Sequence, residues 1–265
     1  MRPGSGGSAI GPGARQRPRP IKVRQTLSHP MKPVERLGEA RTPDGSRLEL
    51  LRHDGAFLIR ANGIELMSSR RHLSEDRLAE VACGPIAARS GARALIGGLG
   101  LGFTLRAAMG QLGPDAEIVV AELLPEVIAW NSNPEWKIST EAIADPRVRI
   151  VHDDVFNVLR ANPEGFDAIM LDTDNGPDGM LLSENGALYS DYGVLSTVAA
   201  LRPDGVIAYW SVGDDTKFVD ALERAKLRVE RLSVRAHATA GPWHTIYVAR
   251  PKARPAPVVR RDVGI

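Results

Sequence analysis

Short apolar segments alternate with helix-forming segments between residues 92 and 225 of this chain. The apolar segments have the length of strands, and the segments between them have the length and pattern of helices. The predicted strands are 92–96, 117–121, 147–151, 167–171 and 206–210, and the predicted helices are 103–112, 125–131, 155–159, 191–201 and 215–225. Because each helix returns the chain across one face of the sheet, this alternation predicts an α/β fold with a parallel, doubly wound, Rossmann-like sheet.

Three short strand-like segments, 47–52, 56–61 and 64–67, precede this core. Sequences typical of tight turns lie before and between them: Pro43-Asp44-Gly45, His53-Asp54-Gly55 and Asn62-Gly63. They predict a small antiparallel sheet, which is too small to form its own core and is expected to pack against the main domain or a second subunit. Ser74 then fits the N-cap of a helix that leads into the core.

The two ends of the chain are basic and poor in apolar residues. Residues 1–36 consist largely of Gly, Pro, Ser and Arg, so they bury too little surface to offset the entropy of ordering. We therefore predict a disordered basic tail over 1–36 and a small β unit over 37–70. A Rossmann-like catalytic domain is predicted over 71–250, followed by a second basic tail over 251–265.

The formal net charge of the whole chain is only +2, so the middle of the chain must be acidic to balance its basic ends. An acidic folded part argues against nucleic-acid binding, which needs clustered cations to displace the counterions of phosphate. It suits a small or cationic substrate better.

Cysteine content and hydropathy restrict the compartment and the kind of site. Cys83 is the only cysteine, so the chain can form neither an intramolecular disulfide nor a zinc site built from cysteines. A reducing, cytoplasmic setting fits this cysteine content. No apolar run approaches the roughly 18 residues that span a bilayer, so we expect a soluble protein with no membrane partner. We predict no metal site, because a lone histidine such as His237 or His244 is more often hydrogen-bonded or exposed than a ligand.

A glycine-rich loop follows the first predicted core strand, with glycines at Gly97, Gly98, Gly100 and Gly102. Glycines at this position let the backbone approach a ligand closely, although many strand-to-helix turns need glycine for structural reasons alone. The third glycine of the dinucleotide-binding fingerprint would fall at Phe103, and no Gly-Lys-Ser or Gly-Lys-Thr follows, so a dehydrogenase or a Walker-type site fits less well.

Acidic residues end the next two predicted strands. Glu122 lies about 20 residues beyond the loop, where an acid in this architecture accepts hydrogen bonds from ribose hydroxyls. Asp153 and Asp154 follow the third strand, where a carboxylate can bind the adenine amino group. The alternatives are a solvated strand end for Glu122 and a helix N-cap for the aspartate pair. Taken with the loop, the three acids favour a site for a nucleoside of the S-adenosylmethionine kind.

The fourth predicted strand ends at Asp172, and Asp174 follows in a turn-like segment. A carboxylate here can hold an amine as its ammonium, or take the proton of an amine that attacks an activated carbon. The alternative is a turn that only reverses the chain. The argument for a catalytic role is stronger for Asp172 than for Asp174.

The chain from 92 to 205 resembles spermidine synthase and its relatives, the polyamine aminopropyltransferases. The motifs that carry the resemblance are the glycine loop, Glu122, Asp145-Pro146-Arg147-Val148, Asp153-Asp154, the strand 166–172, Leu188-Tyr189-Ser190 and the segment 201–205. The resemblance implies a class I methyltransferase-type fold whose last strand is antiparallel, and a homodimer. It also implies that Gly98, Gly100, Glu122 and Asp154 bind decarboxylated S-adenosylmethionine, and that Asp172 is the base.

The chain departs from this family mainly in the half that binds polyamine. The family has an aspartate in its glycine loop, where this chain has Leu99 or Gly100. A second aspartate after the base is replaced by Asn175, and the segment 66–76 has no clear match to the family's Gln and Tyr-His residues. We therefore expect a divergent member that transfers an aminopropyl group to an amine other than putrescine. An S-adenosylmethionine-dependent methyltransferase and a non-catalytic nucleoside-binding or dimerisation module remain alternatives.

Overall fold

A seven-stranded sheet lies at the centre of this computed structural model, which describes residues 33–172, 185–237, 239 and 241–252. Its strands are β5 (Arg93–Gly97), β6 (Glu117–Glu122), β7 (Val148–His152), β8 (Phe166–Leu171), β9 (Leu201–Ser211), β10 (Leu227–Arg235) and β11 (Trp243–Pro251). They are ordered β10-β11-β9-β8-β5-β6-β7, and β11 runs antiparallel to both of its neighbours. The pairings among β5 to β9 are parallel, which confirms the doubly wound sheet and the antiparallel last strand.

Helices cover both faces of this sheet. They are α1 (Leu73–Cys83), α2 (Phe103–Gln111), α3 (Pro125–Ser132), α4 (Thr140–Ile143), α5 (Val155–Arg160), α6 (Asp191–Ala200) and α7 (Thr216–Arg224). Successive strand residues enter opposite apolar clusters: Ile96 packs on the side of α1 and α2, whereas Leu95 packs on the side of α5 and α6. None of the helices in the described ranges has the length and apolar character needed to cross a membrane.

A four-stranded antiparallel sheet precedes α1. It consists of β1 (Glu35–Arg41), β2 (Arg47–His53), β3 (Ala56–Ala61) and β4 (Ile64–Ser68), in that order. The last three strands match the prediction, but β1 was not predicted because its sequence is charged, contains Gly38 and lacks apolar alternation. The strand begins inside the segment predicted as a tail, and Gly38 packs directly on the indole of Trp130 in α3. This contact joins the small sheet to the main domain.

The predicted N-cap of α1 is wrong. The helix begins at Leu73, and His72 occupies the N-cap position without a capping hydrogen bond from its side chain. Ser74 is fully buried inside the first turn, and its hydroxyl donates a hydrogen bond to the Glu75 carboxylate instead. The start of α1 is held by a backbone bond from the Leu73 N–H to the Ala236 carbonyl at the end of β10, so tertiary contact replaces the cap.

A buried ion cluster fixes the amino end of β8. Asp167 is fully buried, and its carboxylate accepts hydrogen bonds from the Arg93 N–H at 2.7 Å, from Arg202 Nη1 at 2.6 Å and from Arg89. Burial alone would raise the pKa of Asp167, but the hydrogen bonds from Arg202, Arg93 and Arg89 outweigh it, and the pKa is lowered. The cluster joins β5, β8 and β9 to the segment after α1.

Asp167→Ala should lower the free energy of unfolding by about 3 kcal/mol, because it leaves guanidinium groups without their buried partner. Since the folded pKa of Asp167 is lowered, its contribution should be present above about pH 4 and disappear as the pH falls through the folded pKa. Urea unfolding at pH 7 and at pH 3 measures both effects. Asp204→Ala removes the exposed partner of Arg89 and should cost no more than about 0.5 kcal/mol. Equal losses in the two variants would contradict this account.

Candidate active site

The carboxyl ends of β5, β6, β7 and β8 lie along one edge of the sheet. The Gly98 N–H donates to the Ala121 carbonyl at 2.9 Å, the Asp172 N–H donates to the Gly97 carbonyl at 3.0 Å, and the Asp153 N–H donates to the Glu122 carbonyl at 3.2 Å. These bonds bring the glycine loop together with the predicted acids at the next strand ends. Asp174 lies outside the described residues.

The glycine loop has a left-handed backbone at Gly98, Gly100 and Gly102, with φ values of 93°, 51° and 73°. A side chain on Gly102 would collide with Ser139, and one on Gly97 would lie 2.8 Å from Cδ2 of Leu171, so packing within the chain already requires these glycines. At Gly100 a Cβ would lie 2.9 Å from the sulfur of Met67, which reaches the loop from β4. The small N-terminal sheet therefore contributes a side chain to this loop.

Glu122 is a buried part of the loop and not a solvated strand end, since it is only 8% exposed. Its Oε2 accepts the Leu99 N–H at 2.8 Å, and its Oε1 accepts the Leu124 N–H at 2.9 Å. Burial raises the pKa of Glu122, while these backbone hydrogen bonds oppose the rise. The Leu123 and Gly100 N–H groups also bond to this carboxylate, so Glu122 is held by backbone donors from the loop and from the segment after β6.

The two aspartates after β7 differ in their contacts. Asp154 is the N-cap of α5 and accepts the Phe156 N–H at 2.8 Å, as the helix-cap alternative expected. Asp153 accepts the side-chain amide of Asn157 and the Asp154 N–H through Oδ1, both at 2.7 Å, and these bonds lower its pKa. No described residue donates to Oδ2 of Asp154, so a cap role and an adenine contact are compatible in this residue.

Asp172 follows β8 directly, on the far side of the glycine loop from Glu122. Burial raises the pKa of Asp172 to about 6, although the Thr104 hydroxyl donates to its Oδ2 at 2.6 Å. Thr104 lies in the first turn of α2. A carboxyl group with a pKa near neutrality can accept a proton and release it again at physiological pH, which suits a general base.

Glu75 of α1 is a second carboxyl group at this site, and the sequence interpretation missed it. Burial, and after it the negative charge of Asp172, raise the pKa of Glu75 to about 7. Polar residues such as Ser74, Glu75 and Asp76 are typical of the first turn of any helix, so this pattern alone does not indicate a site. The available signal was spacing, since Glu75 lies three and four residues before the buried Leu78 and Ala79 and so shares their inward face.

The described part of the site combines acidic residues at two strand ends, Glu122 and Asp154, with a loop that presents backbone without a side chain at Gly98. Among the described residues, no group of three or more His, Cys, Asp or Glu side chains could hold a metal ion.

Comparison with known proteins shows which fold this is. No family model matches the chain, and no curated protein matches it. Two solved structures of spermidine synthase, one from Thermotoga maritima and one in complex with the transition-state analogue AdoDATO, each match with a TM-score of 0.62 and 18% identity. Each match covers 83% of this chain and 74% of the other. The fold is therefore shared with spermidine synthase, which confirms the resemblance seen in the sequence as one of a divergent chain.

Glu75→Gln should make the protein more stable at pH 8 by about 1–2 kcal/mol. It removes a carboxyl group whose pKa is raised by folding, and whose ionised form therefore destabilises the folded protein at this pH. The unfolded chain releases this proton near pH 4, whereas the folded chain keeps it to about pH 7. The penalty therefore develops between these pH values, and the gain should vanish at pH 4. Urea unfolding at both pH values measures it, with Glu80→Gln on the exposed face of α1 as the control. A gain independent of pH would show that the Glu75 charge is not the cause.

Proposed function

We propose that this protein is a spermidine synthase-like transferase, which binds decarboxylated S-adenosylmethionine or S-adenosylmethionine and alkylates an amine. The observation that carries the proposal is the position of Asp172: its backbone N–H donates to the Gly97 carbonyl at the start of the glycine loop, and its half-buried carboxyl group accepts the Thr104 hydroxyl and has a pKa raised to about 6. A base close to a nucleoside-binding loop is what alkylation of an amine requires. An aminopropyl group is the transferred group that the family resemblance favours.

In this proposal the nucleoside half is held by Gly97, Gly98, Gly100 and Gly102, by Glu122, and by Asp153 or Asp154. Glu122 accepts hydrogen bonds from the ribose, and the bond from the Leu99 N–H keeps its carboxylate against the loop. Asp154 accepts from the adenine amino group while it caps α5. When bound, the sulfonium nucleoside supplies a carbon whose leaving group is a neutral thioether.

The acceptor half is formed by Asp172 and Glu75, with Asp174 as a further candidate. An acceptor amine arrives as its ammonium, which the carboxylate charge attracts, and Asp172 takes one proton to free the nitrogen lone pair. The lone pair forms the new carbon–nitrogen bond, and the electrons of the carbon–sulfur bond leave with sulfur. The product is a secondary ammonium, so one proton is released per turnover through the carboxyl groups.

Methyl transfer is the second candidate, and the glycine loop supplies the observation that favours it. Leu99 and Leu101 are buried, and Gly100 lies against the Met67 thioether. The described part of the loop thus offers no carboxylate to a charged aminopropyl end.

Three further statements remain predictions: that the protein is a homodimer, that it is cytoplasmic, and that its domain boundaries lie at 36, 70 and 250. Light scattering would test whether the protein is a homodimer.

Calorimetry with three nucleosides should separate the candidate functions. Tighter binding of decarboxylated S-adenosylmethionine than of S-adenosylmethionine supports aminopropyl transfer, and the reverse supports methyl transfer. Glu122→Gln should weaken binding of the preferred ligand by about tenfold, because the amide nitrogen is a donor and cannot accept the ribose hydroxyl or the backbone N–H that the replaced oxygen accepts. Methylthioadenosine serves as the ligand without a transferable chain. If none of the three binds, both transferase proposals fail; binding without turnover would favour the non-catalytic module.

Asp172→Asn should lower turnover by about 100-fold or more, since an amide cannot accept the proton of the amine. Affinity for the nucleoside should change by less than about threefold, because the Asp172 side chain is assigned to the acceptor half. Steady-state kinetics and calorimetry on the same sample measure the two quantities. Asp204→Asn, at the opposite edge of the sheet, is the matched control. Normal turnover in Asp172→Asn would place the base elsewhere.

A further inference from the structure

A hydrogen-bonded network of three side chains, Glu75, Ser74 and His244, extends from the carboxyl pair formed by Glu75 and Asp172. The proposed function does not yet use Ser74 or His244. The Ser74 hydroxyl donates to Oε2 of Glu75 at 2.5 Å, and Nδ1 of His244 lies 3.0 Å from the same hydroxyl oxygen. Ser74 is fully buried, and the two ends of the network, Glu75 and His244, come from α1 and β11, far apart in sequence. The network therefore forms only in the folded protein.

The direction of these hydrogen bonds depends on the protonation of Glu75. A hydroxyl has one hydrogen, so when Glu75 is ionised Ser74 donates to it and accepts from Nδ1–H of His244. When Glu75 is protonated, its O–H can donate to Ser74, which then donates to an unprotonated Nδ1. The same heavy-atom positions thus satisfy both protonation states of Glu75.

This reversal requires a neutral imidazole, because imidazolium carries hydrogen on both nitrogens and cannot accept. Burial, and after it the charge of Arg71, lower the pKa of His244 to about 4, so the ring is neutral at physiological pH. The Trp210 indole packs against the ring at 4.5 Å between centroids and limits its rotation. His244 is therefore held as a neutral ring that can donate or accept.

The charges around Glu75 favour a single shared proton between the two carboxyl groups. Asp172 at the end of β8 and Asp76 on α1 both raise the pKa of Glu75, in addition to burial. The bonds that lower it come from Ser74 and from the Glu75 backbone. Arg71 acts on His244, and Thr104 donates to Asp172. Two neighbouring, half-buried carboxyl groups in such surroundings do not both ionise easily.

We propose that Ser74 and His244 are positioning residues that hold Glu75 beside Asp172 in either protonation state, so that the two carboxyls receive the proton of the acceptor together. The inference rests on the proposed function, because such a pair has a role only if the acceptor is an ammonium. The pair with one proton carries a single negative charge, which matches one ammonium group. After the ammonium transfers a proton, both carboxyls are protonated, and one proton then passes to solvent. The acceptor amine is therefore recognised through one ammonium at this end.

The test compares Ser74→Ala, His244→Leu and His244→Asn in the full chain, with Ser196→Ala on α6 as a matched control. Carboxyl NMR with labelled glutamate follows the titration of Glu75, and kcat/KM for the amine is measured against pH. Ser74→Ala should raise the midpoint of both curves by about one pH unit, because it removes a hydrogen bond to the ionised carboxylate. His244→Leu should also raise the midpoints of both the NMR titration and the kcat/KM curve. His244→Asn should recover most of that shift, since its amide can donate or accept close to the position of Nδ1.

Unchanged midpoints in Ser74→Ala and His244→Leu, with folding confirmed by thermal unfolding, would overturn the inference. If Ser74→Ala does not fold, the two His244 variants decide by themselves. The NMR titration does not require turnover, so it also decides if no amine is alkylated. Failure of the proposed function is recognised separately, by absent nucleoside binding or by normal turnover of Asp172→Asn.

Discussion

The parallel pairing of β5 with β6 on one side and β8 on the other determines where every candidate site residue lies. Gly97 is in register with Ala121 and with Leu171, so the glycine loop, Glu122 and Asp172 leave the sheet at the same level. Backbone bonds between these strand ends then hold the loop against the neighbouring strands. Sheet register thus brings together the glycine loop, Glu122 and Asp172.

The two ends of β8 illustrate how surroundings decide what a buried carboxyl group does. Asp167 at the amino end is bound by guanidinium groups, its pKa is lowered, and it contributes to stability as an ion. Asp172 at the carboxyl end has the Thr104 hydroxyl and the Glu75 carboxyl as its partners, and its pKa is raised to about 6. Burial acts in the same direction on both, so the difference comes from the partners. The arrangement at Asp167 stabilises the sheet. The arrangement at Asp172 lowers stability when the carboxyl group is ionised, but it supplies a group that can exchange a proton.

Sequence patterns predicted the sheet well because alternation of strands and helices is a local property. They predicted the acids at the strand ends for the same reason, since a strand end can be recognised from the residues next to it. Three features needed the folded chain: β1, which pairs despite a charged sequence, Glu75, whose partner is about a hundred residues away, and Met67 at the loop. Ser74 shows the reverse error, because a residue type favoured at helix caps was buried by β11 and used in a side-chain network. Tertiary contacts overrode local preference in each of these places.

Met67, Ser74 and Glu75 all come from one short stretch that includes β4 and α1, whereas the loop and the acids assigned to the nucleoside come from the segments after β5, β6 and β7. The stretch from β4 to α1 therefore supplies side chains to two parts of the site, since Met67 lies against Gly100 of the loop and the charge of Asp172 acts on Glu75. A change in the length or register of this one stretch would displace both contacts together.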